Sequence, residues 1–393
     1  MENLNAIAEQ EDWQVLLTFL PEGWRVKARE LGALRRCRKF ADAELLLRAL
    51  LIHLAEGCSL RETSVRLRHG NIAAVSDVAL LKRLKVSGDW FQWMASQLMQ
   101  GWVDKQPSAI FGKDVRIRII DGSTIQEPGS TGSTWRIHYS IRLPSLQCDE
   151  VHVTSPEVGE SFKRFTVHPG DLFVGDRGFA HRGGIAHVSE GGGDVLVRIN
   201  LSNVPLVNSD GGAFPLLGRL RTLTGTRLGD WDVWVPYEHE VVVPGRVCAV
   251  KKSKEAAERA RRKALRENRR KRRQVKAETI EAAGYIFVFT TLDRRFTPTT
   301  ILEMYRGRWQ IELVFKRLKS IIALGHLKKT DPDAARAWLH GKIFMAFLVE
   351  ALVAAGERFF PWGYPLCPDV PKIPMPMEED FLHAPSSSEH DKS

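Results

Sequence analysis

The spacing of apolar and polar residues divides this chain into a helical start and a mixed remainder. From Asp12 to about Lys105 apolar residues recur at helical intervals and no strand-like alternation interrupts them. Ala41–Glu56 reads as one amphipathic helix, with Leu45, Leu46, Ala49, Leu50 and His53 on its apolar side. Gly57 marks its C-terminal cap, and Ser59 with Glu62 fits a capping box that opens the next helix. Ser76 and Asp77 then precede a third helix, Val78–Leu84, which carries Lys82 and Arg83 and is followed by Lys85. Short helices ending on a basic one suggest a helix-turn-helix-like DNA-binding unit. A plain bundle with a solvated basic face fits the same spacing.

The texture changes after Pro107. Val115–Ile120 reads as a buried strand, and Trp135–Leu143 with Glu150–Ser155 extends it into a meander. Phe173–Gly175 is a short strand, His181–Ser189 a short helix, and Asp194–Ile199 another strand. Trp231–Val235 and Glu240–Val243 are β-like, Tyr285–Thr291 is a strong strand, and a long helix is expected from near Thr299 to about Ile322. Strands and helices in this mixture indicate an α/β domain. The tail from Pro361 is rich in Pro and polar at its end, so it is expected to be partly disordered.

Composition narrows the class. At 44% hydrophobic and 26% charged residues the chain has ordinary globular values. The start is acidic and lacks the apolar core of a secretory signal, and the apolar stretch Ile343–Ala355 is broken by Glu350 and reads as too short to span a bilayer. Cys37, Cys58, Cys148, Cys248 and Cys367 form no CxxC pair, so they read as reduced thiols of an intracellular protein with no membrane partner. The formal charge of +10 is strongly localised: Lys251–Lys276 holds 14 basic and three acidic residues, and the remaining 43 basic and 44 acidic residues nearly cancel. That segment points to a polyanion, most naturally nucleic acid.

The candidate chemistry starts from acids at strand ends. Asp121 follows the strand in Ile119-Ile-Asp-Gly122, and Asp176 follows the one in Phe173-Val-Gly-Asp176. Either acid alone fits an ordinary turn. The third acid lies in Tyr305–Lys319. On a continuous helix the offsets of Tyr305, Arg308, Glu312 and Lys319 put them at about 0°, 300°, 340° and 320°, a single narrow polar face. An Arg308–Glu312 surface pair would explain only two of the four. Three carboxylates suit two Mg²⁺ ions, with Mn²⁺ as a substitute, because hard divalent ions prefer carboxylate oxygen. Arg308 and Lys319 would bind nearby phosphates, and Tyr305 could donate a hydrogen bond to one.

Asp121, Asp176 and Glu312 in these contexts, with Tyr-x2-Arg-x3-Glu-x6-Lys around the last, resemble the DDE transposases of the IS-four insertion-sequence family. The resemblance runs from roughly Ala41 to Gly363. It implies an RNase H-like mixed-sheet catalytic core with a β-rich insertion between the second Asp and the Glu, preceded by the all-helical DNA-binding domain. The expected boundaries are 1–106 for the helical domain, 107–200 and 292–360 for the two parts of the core, 201–291 for the insertion and 361–393 for the tail. The resemblance also implies two kinds of double-stranded DNA as partners, transposon ends and target, a homodimer in the synaptic complex, and a cytoplasmic, nucleoid-associated bacterial enzyme. Water would nick a strand at the element's end, the freed 3′-hydroxyl would close a hairpin, and the reopened end would join to target. Trp309 matches a position where relatives stack a flipped base, and Tyr285 sits where some place a Trp.

The basic segment falls inside that insertion. Its Ala residues and its Glu–basic pairs four apart, such as Glu255 with Arg259 and Glu258 with Arg262, favour an exposed helix. Arg262, Arg266, Arg269, Arg270 and Arg273 are its expected phosphate contacts, with Lys82 and Arg83 contributing from the helical start. Two rival readings remain, a metal-dependent RNase H-like nuclease that only hydrolyses, and a non-catalytic DNA-binding protein.

Overall fold

The computed structural model describes residues 12–359, except 38, 56, 104–114, 131, 133, 239–240, 271–273, 321–322, 326 and 328. The fold class is the mixed α/β one expected, built on eight strands: β1 (Arg116–Ile125), β2 (Trp135–Arg142), β3 (Cys148–Thr154), β4 (Asp171–Gly175), β5 (Asp194–Arg198), β6 (Leu228–Tyr237), β7 (Val241–Lys251) and β8 (Tyr285–Thr290). They are hydrogen-bonded in the order β3-β2-β1-β4-β5-β8-β7-β6. β4 is parallel to both β1 and β5, whereas β2–β3, β5–β8, β7–β8 and β6–β7 are antiparallel. The two long strands β6 and β7 thus continue the sheet beyond β8. By internal contacts the chain divides into two compact units. The described residues of Met1–Lys113, Ile120–Glu160 and Trp309–Gly363 form the first, and those of Asp114–Ile119 and Ser161–Arg308 form the second.

The first unit carries the helical start. Its helices are α1 (Trp24–Glu30), α2 (Ala43–Ala55), α3 (Leu60–His69), α4 (Asp77–Lys85) and α5 (Gly88–Val103). The caps are those the sequence suggests. Gly57 has φ +63°, Ser59 Oγ accepts from Glu62 N at 3.1 Å, and Ser76 Oγ accepts from Ala79 N at 3.2 Å. The α3 box is half made, because the Glu62 carboxylate turns to Arg66 at 3.2 Å. Two later helices complete the unit, which we label α11 (Trp309–Ser320) and α12 (Pro332–Phe359) after five helices of the second unit introduced below. An aromatic seam joins these parts: Trp24 stacks on Trp90, Phe91 on Phe344, and Tyr139 of β2 meets both Phe315 and Phe347.

Helix α12 corrects one expectation. At 28 residues it contains a stretch, Pro332–Ala355, long and apolar enough to cross a membrane by length and composition. Most of that stretch is instead buried inside the unit, where α12 packs on α2, α4 and α5 as a core helix. Glu350 is half-buried there, and its buried Oε2 has no hydrogen-bond partner among the described residues. Burial, opposed by Arg317, pushes its carboxyl up from 4.5 to about 7. The folded chain therefore keeps a proton that the unfolded chain releases, and stability falls as pH rises from about 4.5 to about 7. Glu350→Gln is expected to flatten that slope and to be about 1–3 kcal/mol more stable than the parent at pH 8, measured by urea unfolding at pH 5 and pH 8.

The second unit holds β4–β8 with α6 (Arg182–Glu190), α7 (Leu216–Arg221), α8 (Lys254–Arg270), α9 (Ala277–Ala282) and α10 (Pro298–Arg306). A buried carboxylate anchors its first strand residues: Asp171 Oδ1 accepts from Arg116 Nε at 2.9 Å and Oδ2 from Arg118 Nη1 at 3.1 Å. Two guanidinium groups on one acid satisfy charges that burial would otherwise penalise.

Candidate active site

Local packing explains where the two aspartates stand. Gly175 ends β4 because a Cβ there would lie 2.7 Å from Phe162 Cζ and 2.9 Å from Phe179 Cβ, and those two rings stack 5.2 Å apart. The chain then turns at Asp176, whose Oδ1 accepts from Gly178 N at 2.7 Å. Asp121 differs from its expected place. It does not follow β1 but lies within it, since the strand continues to Ile125. Its Oδ1 accepts from Gly122 N at 2.8 Å, and Gly122 lets the Glu160 carboxylate approach, since a Cβ there would stand 2.9 Å from Glu160 Oε1. Both aspartates are half-buried, with one oxygen already oriented by backbone.

The single long helix expected from Thr299 to Ile322 is two helices. Thr297 caps α10, with Thr300 N donating to Thr297 Oγ1 at 3.2 Å, and Pro298 opens it. The helix stops at Arg306: Gly307 N reaches both Glu303 O and Met304 O, and Arg308 N bonds Tyr305 O at 3.1 Å. α11 begins only at Trp309. The four-residue stripe computed for an unbroken helix therefore does not form as such. Tyr305 and Arg308 belong to the second unit, Glu312 and Lys319 to the first.

Each unit nevertheless gathers part of the constellation. In the second, Tyr305 lies close enough to Arg308, Arg198, Asp176 and Arg177 for their charges to act on its hydroxyl, whose pKa burial raises. In the first, Glu312 and Lys319 are seven residues apart on α11, within about 20° of one another. Ile311, Val314, Phe315 and Leu318 bury the other side of that helix. Burial lowers the Lys319 pKa, and the nearby Asp121 carboxylate opposes that shift. Trp309 is half-buried at the head of the same helix.

The remaining expected contacts sort into three groups. Arg262, Arg266, Arg269 and Arg270 are exposed on α8, while Arg273 lies outside the described residues. The Glu255–Arg259 and Glu258–Arg262 pairs do not close into ion pairs; Glu255 is held by its own backbone and Ser253, so the arginines stay available. Tyr285 is only 6% exposed in β8, which leaves it little face to offer a base. In Arg83, Nη1 donates to Ala33 O at 3.2 Å and Nη2 to Arg36 O at 2.9 Å, tying α4 to the segment after α1. Arg83→Ala is expected to lower unfolding free energy by about 1–3 kcal/mol while leaving the salt dependence of DNA binding unchanged. Lys82 remains exposed on α4.

One positioning residue was missed from sequence. Arg246, 3% exposed in β7, donates to Asp230 Oδ2 at 2.9 Å, Leu292 O at 3.0 Å and Asp293 O at 2.8 Å, and also to Phe296 O. These bonds fix the turn that leads into α10 and Tyr305. A lone Arg inside the apolar run Val241–Val250 was the clue.

Asp176 Oδ2 makes no hydrogen bond among the described residues, which leaves a hard carboxylate oxygen of the kind divalent ions prefer. No three His, Cys, Asp or Glu side chains converge closely enough to hold an ion among those residues.

Comparison with known proteins identifies relatives over most of this chain. The Transposase DDE domain family matches residues 154–348. The putative transposase InsL of insertion sequence element IS186A from Escherichia coli K12 is 33% identical over 361 residues, covering 89% of this chain and 96% of that protein. The transposase of insertion sequence element IS421 from Escherichia coli is 33% identical over 362 residues, with the same coverage of 89% and 96%. Among solved structures, the piggyBac transposase synaptic complex with hairpin DNA, determined by cryo-EM, has a TM-score of 0.46 at 8% identity, covering 87% of this chain and 73% of that one.

Proposed function

This chain belongs to the DDE transposases of the IS-four insertion-sequence family, and on that premise we propose that Asp121, Asp176 and Glu312 are its acid triad. Enzymes with this domain depend on metal, and the three carboxylates would hold two Mg²⁺ ions, or Mn²⁺ in their place. When bound, such ions lower the pKa of an attacking water or 3′-hydroxyl and offset charge on the leaving oxygen. The chain's own residues do the rest. Arg308 and Lys319 bind phosphates beside the cut, Tyr305 donates a hydrogen bond to one, and Trp309 receives an unstacked base.

The observation that carries this reading is a pairing repeated in each unit. Asp176 lies near Tyr305 and Arg177, with Arg308 beside Tyr305, and Asp121 lies near Lys319. An acid beside a phosphate-binding cation is what cleavage of a phosphodiester requires, because the cation draws the anionic backbone towards carboxylates that would otherwise repel it.

The enzyme binds the terminal inverted repeats of its element as a homodimer in the synaptic complex. Water cuts one strand, the 3′-hydroxyl attacks the opposite strand to close a hairpin, a second water reopens it, and the end joins target DNA. Such an enzyme works in the bacterial cytoplasm, on nucleoid DNA. The test is incubation of purified protein and Mg²⁺ with DNA carrying the matched ends and a target plasmid. Hairpin ends on a denaturing gel and end–target junctions are expected. Cut ends that never join would replace the proposal with a nuclease, and binding without any cleavage would leave only a DNA-binding protein.

A further inference from the structure

Three strands of the second unit finish towards one edge of the sheet, and each delivers a cation there. β4 and β5 are parallel, with Gly175 opposite Val197. β5 and β7 are both antiparallel to β8, so they run the same way; Arg198 and Cys248 both face Val288, and β7 continues to Lys251, opposite Tyr285. The carboxyl ends of β4, β5 and β7 therefore supply Arg177, Arg198 and Lys252 in turn. The carboxyl ends of parallel strands are where open α/β sheets bind ligands.

Neighbouring bonds hold these residues in place. Asn203 Nδ2 donates to Arg177 O at 3.4 Å and Ala180 O at 3.1 Å, which ties the turn after β4 to the loop after β5. Lys252 donates its backbone N–H to Gly284 O at 3.0 Å and its Nζ to Ala283 O at 2.8 Å. α8 starts two residues later, with Ser253 Oγ accepting from Ala256 N at 3.2 Å, so the positive end of a 17-residue helix adjoins the cluster.

The charges are poorly compensated. Neither the Arg177 nor the Arg198 guanidinium makes a hydrogen bond or ion pair among the described residues. Arg177 keeps an exposed surface overall, and its guanidinium lies within electrostatic reach of Arg198, Tyr305, Asp176 and Glu267. Burial, then Arg198 and Arg177, push Lys252 down to about 7, and no carboxylate opposes them. Cations held together without matching acids are stabilised by an anion placed among them. Two guanidinium forks and an ammonium match the spread oxygens of a phosphodiester.

We propose that Arg177, Arg198 and Lys252 form a seat for a backbone phosphate of bound DNA, next to Tyr305 and in addition to the phosphate contact proposed for it. The choice of DNA as the source of the phosphate rests on the transposase reading. Two experiments on the full-length protein test it. In the first, affinity for a transposon-end duplex is measured against salt without divalent metal. Lys252→Met and Arg198→Met should each flatten the log–log slope by about 0.9, and Lys252→Arg should keep it. Unchanged slopes in variants that melt like the parent overturn the proposal.

The second needs no substitution. Amine-reactive labelling followed by mass spectrometry should find Lys252 reactive near neutral pH and protected by the duplex. Protection equal with inorganic phosphate would assign the seat to a free anion, and labelling unaffected by DNA would remove it; either result overturns the proposal. Cleavage that survives loss of all three triad acids would sink the catalytic reading and leave these readouts standing. Loss of cleavage in the triad variants with unchanged slopes here would sink only the seat.

Discussion

Asp121→Asn, Asp176→Asn and Glu312→Gln are each expected to slow cleavage of end-bearing DNA by about 10⁴-fold while leaving its binding nearly intact. The amide keeps the shape and one acceptor oxygen, so the bonds from Gly122 N to Asp121 Oδ1 and from Gly178 N to Asp176 Oδ1 survive. What the amide removes is the negative charge that holds a divalent ion. Residues acting as one unit are strongly non-additive, so the triple variant should be little slower than any single one. Single-turnover cleavage on denaturing gels measures this, with urea unfolding as the control for folding. Cleavage that continues in all three variants would show that the acids are structural.

Replacing Arg262, Arg266, Arg269 and Arg270 together with Ala should weaken binding of transposon ends about a hundredfold or more at physiological salt. The slope of log affinity against log salt should flatten by up to about 3 to 4. Ala keeps helix propensity, so α8 itself should persist. Its anchor is independent of these arginines: Ala256 and Ala257 are buried in the second unit, while the four guanidinium groups lie exposed beyond them. Arg262, which the spacing would pair with Glu258, forms no ion pair with it and is therefore available to phosphate like the other three. Filter binding between 50 and 300 mM salt reads the slope. A slope that stays at the parent value would reduce α8 to a solvated arm.

These expectations differ in how far the sequence reached. β1, β4 and β8 were legible because strands buried on both faces appear as nearly continuous apolar runs. α2 to α4 were legible because Gly57, Ser59 and Ser76 cap them through local bonds only. The break at Gly307 was not, because helical periodicity continues across it and the turn is decided by where Arg308 N finds its acceptor. Arg83 looked like a DNA contact for the same kind of reason. Its charge is visible in sequence, but Ala33 O and Arg36 O, some fifty positions earlier, are not.

The sequence by itself determined the family and the single basic segment, and it pointed to the three acids proposed as the triad and to Tyr305, Arg308 and Lys319 around Glu312. Residue type and short spacing carry that information. Only the tertiary structure decided which of the cations are committed. Arg83 and Arg246 are bound to carbonyls, whereas Arg177, Arg198 and Lys252 meet at the ends of β4, β5 and β7 with little opposing charge. Strand register brings together residues about 20 to 75 positions apart, and electrostatic energy depends on that distance in space, not along the chain.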